Sequence, residues 1–517
     1  MPGVTSHRRG IDARSYVDDY ESTAEGAAPS SGRTFSSDAS AGPIPPEPRA
    51  PTVYDDNTFT DDGRNPFVTT AADPTSTFGL DVDSGSPTVA RVFLERGSLP
   101  PPASVRTEEW VNAMGSTQPA ATDGALSITA DTAPTADGTT LVRVGVASRT
   151  VTEQERPNVN LTFVVDTSGS MDIRERLGLV RSSLALLADH LRDDDTIAIV
   201  EYADEAGVVL EPTPVRDTQR ILAAIDRLQP SSSTNLEAGL RTGYDLAARS
   251  FDPDEHNAVL LASDGVANVG ETGPGSLAAE IQDRAQQGIH LVTVGYGMGN
   301  YNDTLMEQLA DRGDGFYRYV DSFEEAQGLF RDRLSGLLSV VADDAKAQIT
   351  FDPTTVTRYR QIGYENRQLT DESFEDPAAD AGEVGAGHRV TALYEVEVAH
   401  GVGTGAGLGT ATLRYRDAES GDATERRASI AVAAASTPDA APADLRLQAA
   451  AARFADWLAD PQRTRAQRDA IEADLQVVPD QTLAGATLTR RQLLDLVRLA
   501  ATARTEGSTG GQDGQDG

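Results

Sequence analysis

The chain has 517 residues, a length that fits about three domains, and 39% of them are hydrophobic, ample for several buried cores. Asp and Glu number 80 against 44 Lys and Arg, a formal net charge of −36. Such a surface repels phosphate backbones and anionic lipid headgroups, which argues against a nucleic-acid partner, and the absence of cysteine removes disulfides, thiol nucleophiles and a lipid-bearing N-terminal cysteine.

Residues 1–64 are rich in Ser, Pro, Ala, Gly and Asp without periodicity and read as a disordered segment. The Arg8-Arg9 pair is followed by Asp, Ser, Tyr and Glu rather than an apolar stretch, so no signal peptide is expected at this start. Two readings stay open: a protein that stays inside the cell, or a start that lacks its export segment. No stretch approaches the ~20 apolar residues of a membrane-spanning helix. Residues 65–157 read as an N-terminal module with β strands. A short helix is expected near Pro87–Arg96, and Val142, Val144 and Val146 alternate with Arg143 and Gly145 as in a half-buried strand.

Residues 158–340 alternate strands with helices. The apolar run Leu161-Thr-Phe-Val-Val165 ends in Asp166-Thr-Ser168-Gly-Ser170, one carboxylate and two hydroxyls on a tight turn. Such hard oxygen donors suit a magnesium-like ion, although Asp, Ser and Gly also build ordinary turns. Asp172-Ile-Arg-Glu175 has the spacing of a capping box, and Leu177, Val180, Leu184, Leu187 and Leu191 share one face of the helix it would open. Then come a strand at 196–200, an edge strand at 207–210 and a helix at 218–228. Thr234 precedes a helix starting at Leu236, and Asp264 closes the apolar run Ala258-Val-Leu-Leu-Ala262. A helix near 276–286, a strand at 289–294, a helix at 303–311, a strand at 315–320 and a helix from 322 to about 338 complete the series. Alternation of this kind predicts an α/β, doubly wound, mostly parallel sheet covered on both faces. Ligands of such sheets sit beyond the strand carboxyl ends at the switch point, where Asp166 and Asp264 would converge.

Strands resume in a β-rich stretch, 341–435: Gln348–Phe351, then alternating Tyr394, Val396 and Val398, then Leu413 and Tyr415, then Ser429–Ala433. Strands on both sides of 158–340 point to a β-sandwich interrupted in the chain, with a separate C-terminal sandwich as the alternative. In 436–505, Leu447, Ala451, Phe454 and Leu458 fit one helical face, and further helices are expected near 465–475 and 489–501. Residues 506–517, rich in Gly, Gln and Asp, read as a disordered tail.

The stretch from Asn158 to Leu338 resembles a von Willebrand factor type A domain, a six-stranded Rossmann-like fold. Asp166, Ser168, Ser170, Thr234 and Asp264 match all five positions of that family's metal-ion-dependent adhesion site. Ser263–Gly270 and Asn302–Ala310, the latter leading into Gly315–Asp321, are similar to the family as well. Asn65–Val68, Ser76–Asp83, Arg96–Pro102 and Val105–Trp110 resemble a module that precedes the A domain in a group of bacterial proteins with an uncharacterised C-terminal region. The resemblance implies that the serines and the threonine ligate Mg2+ or Mn2+, with Ca2+ as a further candidate, and that the aspartates bind directly or through water. An open coordination position would then accept an Asp or Glu from a protein partner. Binding rather than turnover is expected. The alternative is an accessory subunit of an AAA-type ATPase in a metal-insertion or remodelling complex. It also points to the cell envelope, where relatives are exported or lipid-anchored.

Other chemistry finds little footing. The histidines at 7, 190, 256, 290, 388 and 400 never pair at i, i+4, and no H-E-x-x-H, nucleophile elbow or Walker motif occurs. His290 reads as a core or surface residue of an apolar strand, and Asp193-Asp-Asp195 as a solvated turn.

Overall fold

The computed structural model describes residues 9–22, 59, 63–80, 85–152, 154–231, 233–265, 274–297, 303–376, 382–434 and 437–504. Residues 23–58 and 505–517, and the parts 81–83, 266–270 and 302 of the strings that carry the resemblance, lie outside the described residues. The chain divides into two compact units, the first Met1–Thr58, Asn158–Gly313 and Val320–Asp332, the second the remainder.

The middle of the chain forms a six-stranded sheet. Its strands are β1 (Val159–Asp166), β2 (Thr196–Tyr202), β3 (Ala206–Pro214), β4 (His256–Ser263), β5 (Ile289–Tyr296) and β6 (Tyr317–Val320), in the order β6-β5-β4-β1-β2-β3. β1 runs parallel to both β2 and β4, β4 parallel to β5, and the edge strand β3 antiparallel to β2. Every residue of β1 is buried, as a central strand covered on both faces requires. The helices are α1 (Leu179–His190), α2 (Thr218–Ile225), α3 (Leu236–Arg249), α4 (Pro274–Gln286), α5 (Asp303–Arg312) and α6 (Phe323–Gln327). α3 lies close on the sheet: a Cβ at Gly239 would meet Tyr202 at 2.6 Å, and one at Gly243 would meet Val164 at 2.3 Å. Two glycines one turn apart therefore set how near this helix comes to β1 and β2.

Four sequence expectations for this unit change. Asp172 does not cap a helix; the chain makes a π-helical turn at Arg174–Gly178, entered from Ile173 without a side-chain cap. The expected helix from 322 to 338 is broken into α6, a π-helical turn at Gly328–Asp332 and a short helix Leu334–Leu338. Asp195 is not solvated: it is fully buried and accepts the backbone N–H groups of Val159 (3.1 Å) and Arg192 (2.6 Å). Asp193 and Asp194, by contrast, are exposed.

The fourth concerns residues 9–22, inside the segment read as disordered, which dock on α1. The Arg9 guanidinium donates to the carbonyls of Ala188 (2.8 Å), Asp189 (3.2 Å) and Leu191 (2.9 Å), and its backbone N–H donates to Asp189 Oδ1. Ser182 Oγ donates to Ala13 O at 2.8 Å, and Tyr20 OH donates to Asp172 Oδ1 at 3.0 Å. Composition missed this because few, widely spaced polar anchors hold the segment. A cation at the last carbonyls of a helix satisfies orphan acceptors and complements the dipole. Arg9→Ala is therefore expected to destabilise the first unit by about 1–2 kcal/mol, read by urea unfolding.

In the second unit two antiparallel sheets face each other. One runs in the order Val68–Thr69, Val356–Ile362, Arg389–Val398, Thr140–Ser148, Leu126–Pro134. The other runs Gln368–Leu369, Thr75–Gly79, Val340–Phe351, Gly407–Asp417, Ala423–Ala431. Phe78, Val144, Phe351, Tyr394 and Leu413 from the two sheets share one buried cluster, with Phe351 and Tyr394 edge-to-face at 5.6 Å. Both sheets mix strands from the two sides of residues 158–313, as an interrupted sandwich requires and a separate C-terminal one does not. Lys346, the lone lysine of the chain, is buried in this unit. Its ammonium donates to the carbonyls of Ser373 (3.1 Å) and Asp376 (2.7 Å) and pairs with Asp344 at 3.0 Å.

The helices Gly85–Glu95 and Thr107–Ala113 join Ala443–Ala459, Arg465–Val477 and Arg490–Leu499 in a second core. Trp110 stands edge-to-face on Phe454 at 5.3 Å, and Phe454 stacks on Trp457 at 6.1 Å. Thr464 and Thr489 each complete a capping box with Gln467 and Gln492. The N-terminal module and the C-terminal helices, separate stretches in the sequence, thus bury their apolar stripes against each other. Among the described residues no helix is long and apolar enough to cross a membrane.

Candidate functional site

β1 and β4 are neighbours, so the residues that end them meet at one rim. Asp166, the last residue of β1, is fully buried. Its Oδ1 accepts the backbone N–H of Ser168 at 2.8 Å, while its Oδ2 accepts Ser263 Oγ at 3.0 Å and Tyr202 OH at 3.3 Å. Burial pushes its pKa up to about 6, the nearby Asp264 carboxylate pushes in the same direction, and the hydrogen bonds from Ser168 and Ser263 oppose both. The chain then turns through Gly169–Met171 in a 3-10 helix, bringing the Ser168 and Ser170 hydroxyls to 3.1 Å from each other.

Asp264 follows β4 directly and is 1% exposed. Gly265, at φ +85°, makes the sharp exit that lets its N–H reach back to Ser263 Oγ at 3.2 Å. Thr234 is nearly buried, in a loop tied at both ends to this rim. Ser231 N–H donates to Thr167 O at 2.6 Å, Asn235 N–H donates to Ala203 O at 2.7 Å, and the Asn235 side chain caps α3 at Ala238. The loop thus lies against the turns that follow β1 and β2.

Sequence reasoning passed over Arg176. Its side chain is 7% exposed, and its Nη1 donates to Asp264 Oδ2 at 2.5 Å and to Ser170 O at 2.6 Å. A cation ten residues past Asp166 looks like any exposed helical arginine until the π-helical turn aims it inward. Tyr202 and Ser263 were likewise missed, for they lie within apolar strands and show their role through the bonds to Asp166.

The donor set is made of hard oxygens: two buried carboxylates and two adjacent hydroxyls, with Thr234 on the neighbouring loop. Carboxylates buried this close disfavour each other's charge, a cost that a divalent cation would relieve. The residues present could therefore hold Mg2+ or Mn2+. Among the described residues no group of three or more His, Asp or Glu side chains that could hold a metal gathers anywhere, and this rim itself brings only two carboxylates beside its hydroxyls. His256 and His290 stack on each other at 5.5 Å.

Residues 160–332 match the model of the von Willebrand factor type A domain, residues 336–503 that of the C-terminal region of the uncharacterised protein YfbK, and residues 53–143 a von Willebrand factor model. Over 342 residues the chain is 42% identical to the uncharacterised protein YfbK of Escherichia coli K12, covering 64% of this chain and 60% of that one. It is 24% identical over 258 residues to human inter-alpha-trypsin inhibitor heavy chain H3, covering 46% and 28% of the two chains. The chain therefore spans less than two thirds of either relative. A solved von Willebrand factor type A protein from Catenulispora acidiphila aligns at 17% identity with a TM-score of 0.39, covering 74% of this chain and 97% of that one.

Proposed function

With a von Willebrand factor type A domain at residues 160–332, set between a von Willebrand factor module and a YfbK-type C-terminal region, we propose that this protein binds a protein partner through a divalent cation. Asp166, Ser168, Ser170, Thr234 and Asp264 hold Mg2+ or Mn2+, and an Asp or Glu of the partner completes the coordination. The observation that carries this reading is the burial of Asp166 beside Asp264 and the paired serine hydroxyls at the ends of adjacent strands. Two buried carboxylates that share the single counter-charge of Arg176 keep a net negative charge out of water, which a divalent cation at the same oxygens would offset. An exposed ion pair contributes only about 0–1 kcal/mol, and a carboxylate bonded to a metal escapes much of that limit. The net charge of −36 does not oppose such a partner locally, because the cation reverses the sign of charge at the rim.

A pull-down with the full chain as bait, run in Mg2+ and in EDTA, tests the reading. A partner retained only in Mg2+, and released by mutation of its own acidic residue, supports it; equal recovery in both conditions contradicts it.

The pH dependence follows from Asp166. Its pKa in the folded, metal-free protein is raised to about 6, so between the ordinary carboxylate range and pH 6 the folded state holds the proton that the unfolded chain has lost. Stability of the metal-free protein therefore falls as pH rises through that window, by roughly 3 kcal/mol. Metal binding needs the ionised form and runs the other way. Mn2+ affinity is expected to be about tenfold weaker at pH 5 than at pH 7, and an affinity unchanged across that range would contradict the assignment of Asp166.

A further inference from the structure

We propose that Arg176 is a built-in counter-charge that weakens cation binding at the Asp166–Asp264 rim and strengthens the loaded site's hold on an incoming carboxylate. This inference rests on the metal-binding reading above and adds a residue to it.

Two contacts place Arg176 in the site rather than near it. Its Nη1 reaches Asp264 Oδ2 at 2.5 Å and Ser170 O at 2.6 Å, so one nitrogen ties the turn after β1 to the end of β4. The stem is held as well. A Cβ on Gly297, which has φ +69°, would meet Arg176 Cγ at 2.6 Å and Nε at 3.1 Å, so the bare glycine leaves room for the side chain to pass. On the other flank, a Cβ on Gly178 would meet the Tyr20 ring at 3.3 Å, which puts the docked N-terminal segment against the same π-helical turn. The guanidinium is thus held in position before any cation arrives.

Its effect follows from counting charge. Asp166 and Asp264 contribute −2, Arg176 +1 and a divalent cation +2. The loaded site then carries +1, and a partner carboxylate brings it to zero. Without Arg176 the loaded site is already neutral, and the same carboxylate leaves it at −1. At these short separations in a buried site the difference is large. Arg176 also takes the lone pair of Asp264 Oδ2 that a cation or its bound water would otherwise use. The first binding step is therefore weakened and the second favoured, which makes the site selective for cation and acid together.

The test uses the full chain and titrates Mn2+, with free Mn2+ read by electron paramagnetic resonance, for wild type, Arg176→Gln, Arg176→Met, Arg176→Lys and Asp166→Ala. Both neutral variants are expected to bind Mn2+ at least about tenfold more tightly than wild type, and Arg176→Lys to stay within about threefold. Acetate added to the Mn2+-loaded proteins is expected to perturb the bound-ion signal at several-fold lower concentration in wild type than in Arg176→Gln. Neutral variants that bind Mn2+ equally or more weakly, while Asp166→Ala has lost binding, overturn the role of Arg176 and leave the metal site standing. Retention of wild-type binding in Asp166→Ala overturns the metal site itself. Arg176→Met keeps the apolar stem packed at Gly297, so a folding defect confined to Arg176→Gln does not remove the test.

Discussion

Asp166→Ala is expected to abolish the stabilisation of this protein by divalent cations. At Mg2+ or Mn2+ concentrations about 100 times the dissociation constant, a single site adds about 2.7 kcal/mol to the wild type. For a unit the size of the A domain that is a rise in melting temperature of about 5–10 °C. The variant should show no rise, because it lacks the carboxylate on which the turn is organised: Ser168 N–H, Ser263 and Tyr202 all donate to Asp166. Asp166→Asn makes the comparison sharper. It removes a buried charge that Asp264 opposes, so without metal at pH 7 it should melt no lower than wild type while still failing to respond to Mg2+. A variant that gains the full shift on adding Mg2+ would show that the cation sits elsewhere.

The second large effect belongs to the other unit. Trp110 is fully buried and packs edge-to-face on Phe454, in a core that takes helices from both ends of the chain. Trp110→Ala removes that contact and leaves a cavity between segments more than 300 residues apart in sequence, at an expected cost of about 3–5 kcal/mol. Differential scanning calorimetry should show one transition shifted strongly down and the transition of the A domain unmoved. Ending the chain at residue 434 should have a larger effect on the same transition, since it strips the whole C-terminal face of this core.

The α/β middle of the chain was legible because periodicity and punctuation agree there. Apolar runs such as Leu161–Val165 and Ala258–Ala262 end in Asp-Ser-Gly turns, and the strand order β6-β5-β4-β1-β2-β3 puts those ends side by side. Asp166, Ser168, Ser170 and Asp264 could be singled out because chemistry-bearing residues at strand ends stand out against apolar strands. Arg176 could not, since its direction is set by a π-helical turn that replaces the expected capping box, and helical spacing carries no trace of that. Arg9 and Tyr20 were hidden for a different reason: a segment held by isolated polar anchors has no hydrophobic period to read. The strands Leu126–Pro134 and Val356–Ile362 were passed over because their alternation is carried by Thr, Ala, Arg and Gln, which pack in the sandwich through partners distant in sequence. The shared helical core is legible only in part. The stripe Leu447, Ala451, Phe454 and Leu458 announces a buried face, but nothing along the chain says that Trp110 covers it.

The claim on which the account turns is that a divalent cation is held where β1 and β4 end, and diffraction from crystals grown in Mn2+ at the manganese edge tests it most directly. The account predicts an anomalous peak about 2.0–2.3 Å from oxygens of the Asp166–Ser170 turn, bordered by Thr234 and Asp264, with one coordination position held by water or by an acidic side chain of a neighbouring molecule. Full Mn2+ occupancy at another place, with Asp166 still bonded to Ser263 and Tyr202 and no peak beside it, would contradict it.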